Sequence, residues 1–259
     1  MPLVHASHFD CGISIDSDAK NSKLLYFVNG IGNDLASACA SSDELTKAVS
    51  NTPPTTTNKS SGKQMKYYKS KGYDRDFFYN PGNGIILDPN ELRQQAGFSA
   101  VALAQAGITD PSDLSKIPDD IKTKYYKELG SMYMAAMNSD DSVVKRITAT
   151  TMALAVQLKA HALKYQSIVI VPHSQGNFYT EAAYAILLYE GDMATVNKIR
   201  VVGVSAIAAT TPNNLYITNN EDGAVFGWQK ANLILENFAP YKPLPPSDHL
   251  SELLPWLLS

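Results

Sequence analysis

The residues best suited to chemistry in this chain lie in one short run, Pro172-His173-Ser174-Gln175-Gly176. A serine hydroxyl is a weak nucleophile, so it must stand clear of the backbone and meet a base before it can attack a carbonyl. The surroundings of Ser174 offer that exposure. Ile168 to Val171, apolar and mostly β-branched, read as a buried strand, and a helical pattern runs from Gly176 to Tyr189, closed by Gly191. A strand, a sharp turn and a helix place the hydroxyl at the apex of the turn, the context of a nucleophile elbow. Gly176, two residues on, lets the helix start pack close to the strand without a Cβ in the way. The plainer reading is a Ser-Gln-Gly turn after an ordinary buried strand. The motif alone does not outweigh it.

A serine nucleophile needs a base, and the base needs an acid to orient it. His249 stands before a last apolar helix, Ser251 to Leu258, where its plainer role is to cap that helix. Asp222 follows the apolar run Leu215 to Thr218 in the loop Asn219-Asn220-Glu221-Asp222-Gly223, where it can also serve as a turn former. Glu221 and Asp248 compete with it for the acid role. Asp248 adjoins His249, and neighbours in an extended loop point their side chains apart. The shorter Asp222 side chain is held more rigidly than Glu221, and Gly223 permits the turn. A glycine loop, Asn29-Gly30-Ile31-Gly32, ends the apolar run Leu24 to Val28; its plainer reading is a strand-to-helix connection with Asp34 as N-cap. His161 and His173 read as structural.

These groups must be positioned by alternating strands and helices. Leu24 to Val28 pairs with Gly12 to Ile15 as a hairpin at a sheet edge, and a helix spans about Asp34 to Ser50. Asn51 to Ser61, rich in Thr, Pro, Asn and Ser, reads as a mobile loop. Lys59, Lys63, Lys66, Lys69, Lys71 and Arg75 follow and are best taken as a solvated basic face. Asp76 to Asn80 is the next strand. From Pro89 to Asn138 only helical pieces appear, broken at Gly107, Asp110-Pro111 and Pro118. Tyr125 to Met137 is rich in Tyr and Met, usually core at helical spacing, but placed where a cap over a site would be inserted. Asp140 to Gln166 reads as one long amphipathic helix, and Ile199 to Val204 as a further strand. Short strands ending in polar loops imply a parallel sheet with functional groups at its carboxyl ends.

Composition narrows the classes. With 259 residues, 44% hydrophobic and 18% charged, the chain can bury one large α/β core. A formal net charge of −3 argues against nucleic acid as a partner, since phosphate binding needs a broadly basic face. Cys11 and Cys39 have no metal-like spacing; they form one disulfide in an oxidising compartment or stay as thiols. No signal peptide is visible at the N-terminus and no apolar run is long enough for a membrane span. On these grounds the cytoplasm is slightly favoured over export.

With PHSQG, NGIG after an apolar strand, Asp222 and His249 in that chain order, the sequence resembles the α/β-hydrolase superfamily, specifically its serine esterases and lipases. The resemblance covers Leu24 to the C-terminus. It implies a single domain over residues 1–259, a mostly parallel sheet flanked by helices, with insertions at 51–72 (a loop) and 90–138 (a helical cap). It makes Ser174 the nucleophile, His249 the general base and then acid, and Asp222 the group fixing the imidazole tautomer. The oxyanion hole becomes the backbone N–H of Gln175 with one from Gly30 or Ile31. Two positions depart from the pattern: Pro172 replaces a glycine, and Asn29 stands where many lipases have histidine. The implied activity is ester hydrolysis through an acyl-serine, with no metal or organic cofactor. The apolar cap favours a lipophilic acyl ester and fits a transient membrane-surface contact. A thioesterase, an amidase or a non-catalytic binding module on the same fold are the alternatives.

Overall fold

The structure, a computed structural model, describes residues 23–30, 34–50, 56–58, 65–67, 73–80, 88–108, 117–204, 212 and 215–217. Its centre is a five-stranded sheet. The strands are β1 (Lys23–Val28), β4 (Asp74–Phe78), β5 (Ser167–Pro172), β6 (Ile199–Val204) and β7 (Leu215–Ile217), in the order β4-β1-β5-β6-β7. Every pairing in it is parallel. A separate antiparallel pair joins β2 (Thr56–Asn58) to β3 (Met65–Tyr67), within the segment expected to be a mobile loop and basic face.

Two faces of the sheet carry two apolar clusters. Leu24, Tyr26, Val28, Phe78, Ile168 and Ile170 point to one side, and Leu25, Phe27, Val169 and Val171 to the other, as the two-residue period of a strand requires. Central strands covered on both faces read as continuous apolar runs, which is why LLYFV and IVIV were legible. The edge hairpin is corrected: β1 lies inside the sheet between β4 and β5, and Gly12 to Ile15 fall outside the described residues.

Helix α1 (Leu35–Ser50) lies on the smaller cluster, contributing Leu45, and Asp34 caps it by accepting from the Ser37 N–H at 2.7 Å. The long crossover from β4 to β5 holds α2 (Asp88–Ala106), α3 (Asp119–Ala136) and α4 (Ser142–Lys164) on the larger cluster's side. It is joined there by α5 (Gly176–Tyr189), while the short α6 (Met193–Val196) precedes β6. The chain leaves β1 toward β4 and leaves β5 toward β6, in opposite directions. Right-handed crossovers then place α1 on one face and α5 on the other. Asp141 caps α4 by accepting from the N–H groups of Val143 and Val144.

The cap expectation for 90–138 does not hold for its described helices. Tyr125, Tyr126, Leu129 and Tyr133 of α3 belong to the same core cluster as the strands, with Ala102 and Leu103 of α2. α3 runs alongside α5, so close that a Cβ on Gly130 would stand 2.3 Å from the Ala185 carbonyl oxygen. Burial of large aromatic surface against α5 is worth more to the fold than exposure over a site. The tyrosines of the stripe are core, Met132 and Met134 pack partly buried against them, and Met137 is exposed. Arg75, expected on the basic face, is buried and paired with Asp43 of α1; burial, opposed by Arg75, raises the Asp43 carboxyl above its ordinary range.

Candidate active site

In an open parallel sheet a crevice forms outside the carboxyl ends of the two strands from which the chain departs in opposite directions. Here those strands are β1 and β5. Gly30 follows β1 and Ser174 follows β5, so both sit at that crevice.

Ser174 has a φ of 52°, and it is the single non-glycine residue with positive φ among the described residues. A side chain in the left-handed region costs about 1–2 kcal/mol, and such strain persists only where surrounding contacts over-determine it. Those contacts are visible. The N–H of His173 donates to the Val28 carbonyl of β1 at 2.9 Å, and the N–H of Ser174 to the Val204 carbonyl of β6 at 3.1 Å. Nδ2 of the buried Asn177 donates to the carbonyls of Ser174 and Val204 at 2.9 and 3.0 Å. The turn is thus pinned to both neighbouring strands.

Two glycines make the approach sterically feasible. A Cβ on Gly30 would fall 2.6 Å from Ser174 Cβ, 2.7 Å from the His173 carbonyl oxygen and 3.3 Å from Ser174 Oγ. A Cβ on Gly176 would fall 2.5 Å from the Val28 carbonyl oxygen. Gly176 therefore does allow a close approach, but to β1 rather than to its own strand. Pro172 is accommodated as the last residue of β5, in register with Val28.

Beneath the turn lies a layer of buried polar side chains. Gln175 is fully buried; its Nε2 donates to Glu91 Oε2 and to Gln95 Oε1 of α2, each at 3.1 Å. Glu91 is itself buried, accepts from Tyr179 of α5 at 3.1 Å and is paired with Arg146 of α4. Asn80, just past β4, donates from Nδ2 to Gln175 Oε1 at 3.4 Å. Its backbone N–H donates to Asn29 Oδ1 at 2.6 Å, and Asn29 Nδ2 donates back to the Asn80 carbonyl at 3.0 Å and to the Gly30 carbonyl at 3.1 Å. Sequence reading missed Asn80, Glu91, Gln95 and Asn177. The available signal was Glu91 and Gln95 four apart, so on one face of a helix that is otherwise partly apolar.

Of the expected site residues, the structure brings together Ser174, Gln175 and Gly30. Ile31, Asp222, His249 and the rival acids Glu221 and Asp248 lie outside the described residues. Two histidines are described: His173 bridges to Val204 beside Ser174 at the carboxyl end, whereas His161 contacts Asp76 at 3.3 Å and stacks edge-on to Tyr26, near the middle row of the sheet. Its contacts, with a carboxylate and an aromatic ring inside the fold, are those of a packing residue.

Chemically, the arrangement offers a half-buried serine hydroxyl on a turn at the N-terminus of α5. Partial positive charge from the helix dipole favours a developing oxyanion there, although the N–H groups of Gly176, Asn177 and Phe178 already donate to the carbonyls of His173, Ser174 and Gln175. No protein-family model, curated protein or solved structure matches this chain.

Proposed function

We propose that the chain is a serine hydrolase of carboxylic esters, with Ser174 as the residue that is acylated. The observation that carries this reading is the strained turn at Ser174, held at the crevice between β1 and β5 by close-approach glycines. An ordinary connection has no reason to hold a serine at positive φ. In the proposed reaction the Ser174 hydroxyl attacks the ester carbonyl while His249, oriented by Asp222, takes its proton. The backbone N–H of Gln175 and one from Gly30 or Ile31 receive the oxyanion. The protonated histidine then releases the alcohol, and water repeats the sequence on the acyl-enzyme.

The preference for lipophilic acyl chains loses much of its support, because Tyr125, Tyr126 and Tyr133 of the stripe that suggested it are core. Among the described residues no helix is long and apolar enough to cross a membrane. Cys39 is disulfide-bonded, which fits an oxidising compartment better than the cytoplasm first favoured.

A fluorophosphonate probe with peptide mass mapping tests the reading. The adduct is expected on Ser174, with p-nitrophenyl acetate turnover lost in Ser174→Ala. Labelling of a different serine, or none in a folded sample, would falsify it.

A further inference from the structure

We propose that the side chains of Gln175 and Asn29 are positioning residues that set the two backbone segments of the oxyanion hole from below. This inference rests on the hydrolase reading and names how its site is kept in shape. Both side chains are 0% exposed, so neither can touch substrate. Each instead fixes the backbone of a segment at the crevice.

Gln175 is anchored by Glu91 and Gln95 on α2, at 3.1 Å each. That anchor ties the Gln175 residue to a helix outside the turn, and the Ser174 carbonyl, in the same peptide plane as the Gln175 N–H, is held from the turn by Asn177 at 2.9 Å. Asn29 holds the Gly30 carbonyl at 3.1 Å, which fixes the Gly30 segment where it enters the crevice. Asn80 joins the halves, exchanging two bonds with Asn29 and reaching Gln175 at 3.4 Å. The hydrogen-bonded row thus spans the ends of β4, β1 and β5. A catalytic donor must point to where charge develops, and small misplacements of such groups cost about 10²-fold in rate. A buried amide on each segment is a direct way to hold both N–H groups.

The test uses the full chain with p-nitrophenyl acetate, measuring kcat, KM, the thermal midpoint and the rate at which a fluorophosphonate labels Ser174. Gln175→Met keeps the side-chain length and removes the anchor. It is expected to lower kcat and the labelling rate together by about 10²-fold, with KM within about threefold of wild type. If that variant does not fold, Gln95→Met, which removes one acceptor and leaves Glu91, is expected to lower kcat severalfold at unchanged KM. A lower thermal midpoint with wild-type kcat per folded molecule would overturn the inference, since a purely structural role predicts that. A wild-type chain that neither labels at Ser174 nor turns over ester overturns the hydrolase reading itself. An active wild type beside a fully active folded variant overturns only the positioning role.

Discussion

Two rows of the same sheet hold polar groups against apolar neighbours, and they are built on opposite terms. In the middle row, Asp76, Tyr26 and Ile170 stand in register, and His161 reaches Asp76 while Tyr26 donates to Gln157. A histidine–carboxylate pair is present there, yet the backbone is regular. Ser174 lies four residues beyond Ile170, roughly 13 Å along a strand. At the carboxyl end the backbone is strained and glycines admit close approach, while buried amides clamp the turn. The difference teaches that a histidine beside an acid is not a site. What marks a candidate site is strain that the surrounding structure takes trouble to hold.

The largest effect should separate the two rows outright. Ser174→Ala is expected to lower kcat on p-nitrophenyl acetate by about 10⁴-fold or more, whereas His161→Gln should stay within about twofold. Comparable losses in both would erase the distinction. Asp222→Asn should lower kcat by up to about 10⁴-fold with the fold intact, because the amide favours the wrong imidazole tautomer. A collapse in Glu221→Gln or Asp248→Asn instead would transfer the acid role.

The glycines sharpen the comparison. Gly30→Ala should cut turnover by about 10²-fold, because its Cβ would displace Ser174 Cβ from 2.6 Å away. Gly130→Ala would drive a Cβ to 2.3 Å from Ala185 oxygen at the α3–α5 contact. It should cost about 1–3 kcal/mol by urea unfolding while kcat per folded molecule holds. If Gly130→Ala instead lost activity without losing stability, α3 would belong to the site after all.

The larger apolar cluster has its own pH signature. Burial raises the hydroxyl pKa of Tyr26, Tyr125, Tyr133, Tyr165 and Tyr184 above the ordinary 10.0. Each stays protonated in the fold while its unfolded counterpart ionises. Their contribution is therefore full below pH 10 and is lost as the pH rises through the folded values. Thermal midpoints should fall above about pH 10, with the tyrosinate absorbance of these five of the fourteen tyrosines appearing only as the chain unfolds. Ionisation of all fourteen tyrosines in a still-folded chain would contradict that burial.

The smallest expected change tests the strain itself. Ser174→Gly should be about 1 kcal/mol more stable than Ser174→Ala, since glycine carries no penalty at φ 52°. Equal unfolding midpoints would remove strain as the mark of the site.

The sequence by itself determined the elements and their kind. β5, α5 and β6 follow the runs IVIV, Gly176 to Tyr189 and IRVVGV. Strands buried on both faces and helices with one apolar stripe write their periods directly into the chain. The turn at Ser174 was legible for the same local reason, a strand stopping where a glycine-started helix begins. What only the tertiary structure decided was partnership. That Gly176 faces β1, that Arg75 is buried on Asp43, and that Tyr125 and Tyr133 are core all depend on residues far along the chain. So does the row from Glu91 through Gln175 to Asn29, whose members are separated by 84 and 51 positions where bonds are made. Periodicity fixes which side a residue faces within its own element. Which group meets it there depends on how strands order and helices stack, and that is set by the packing of the whole sheet.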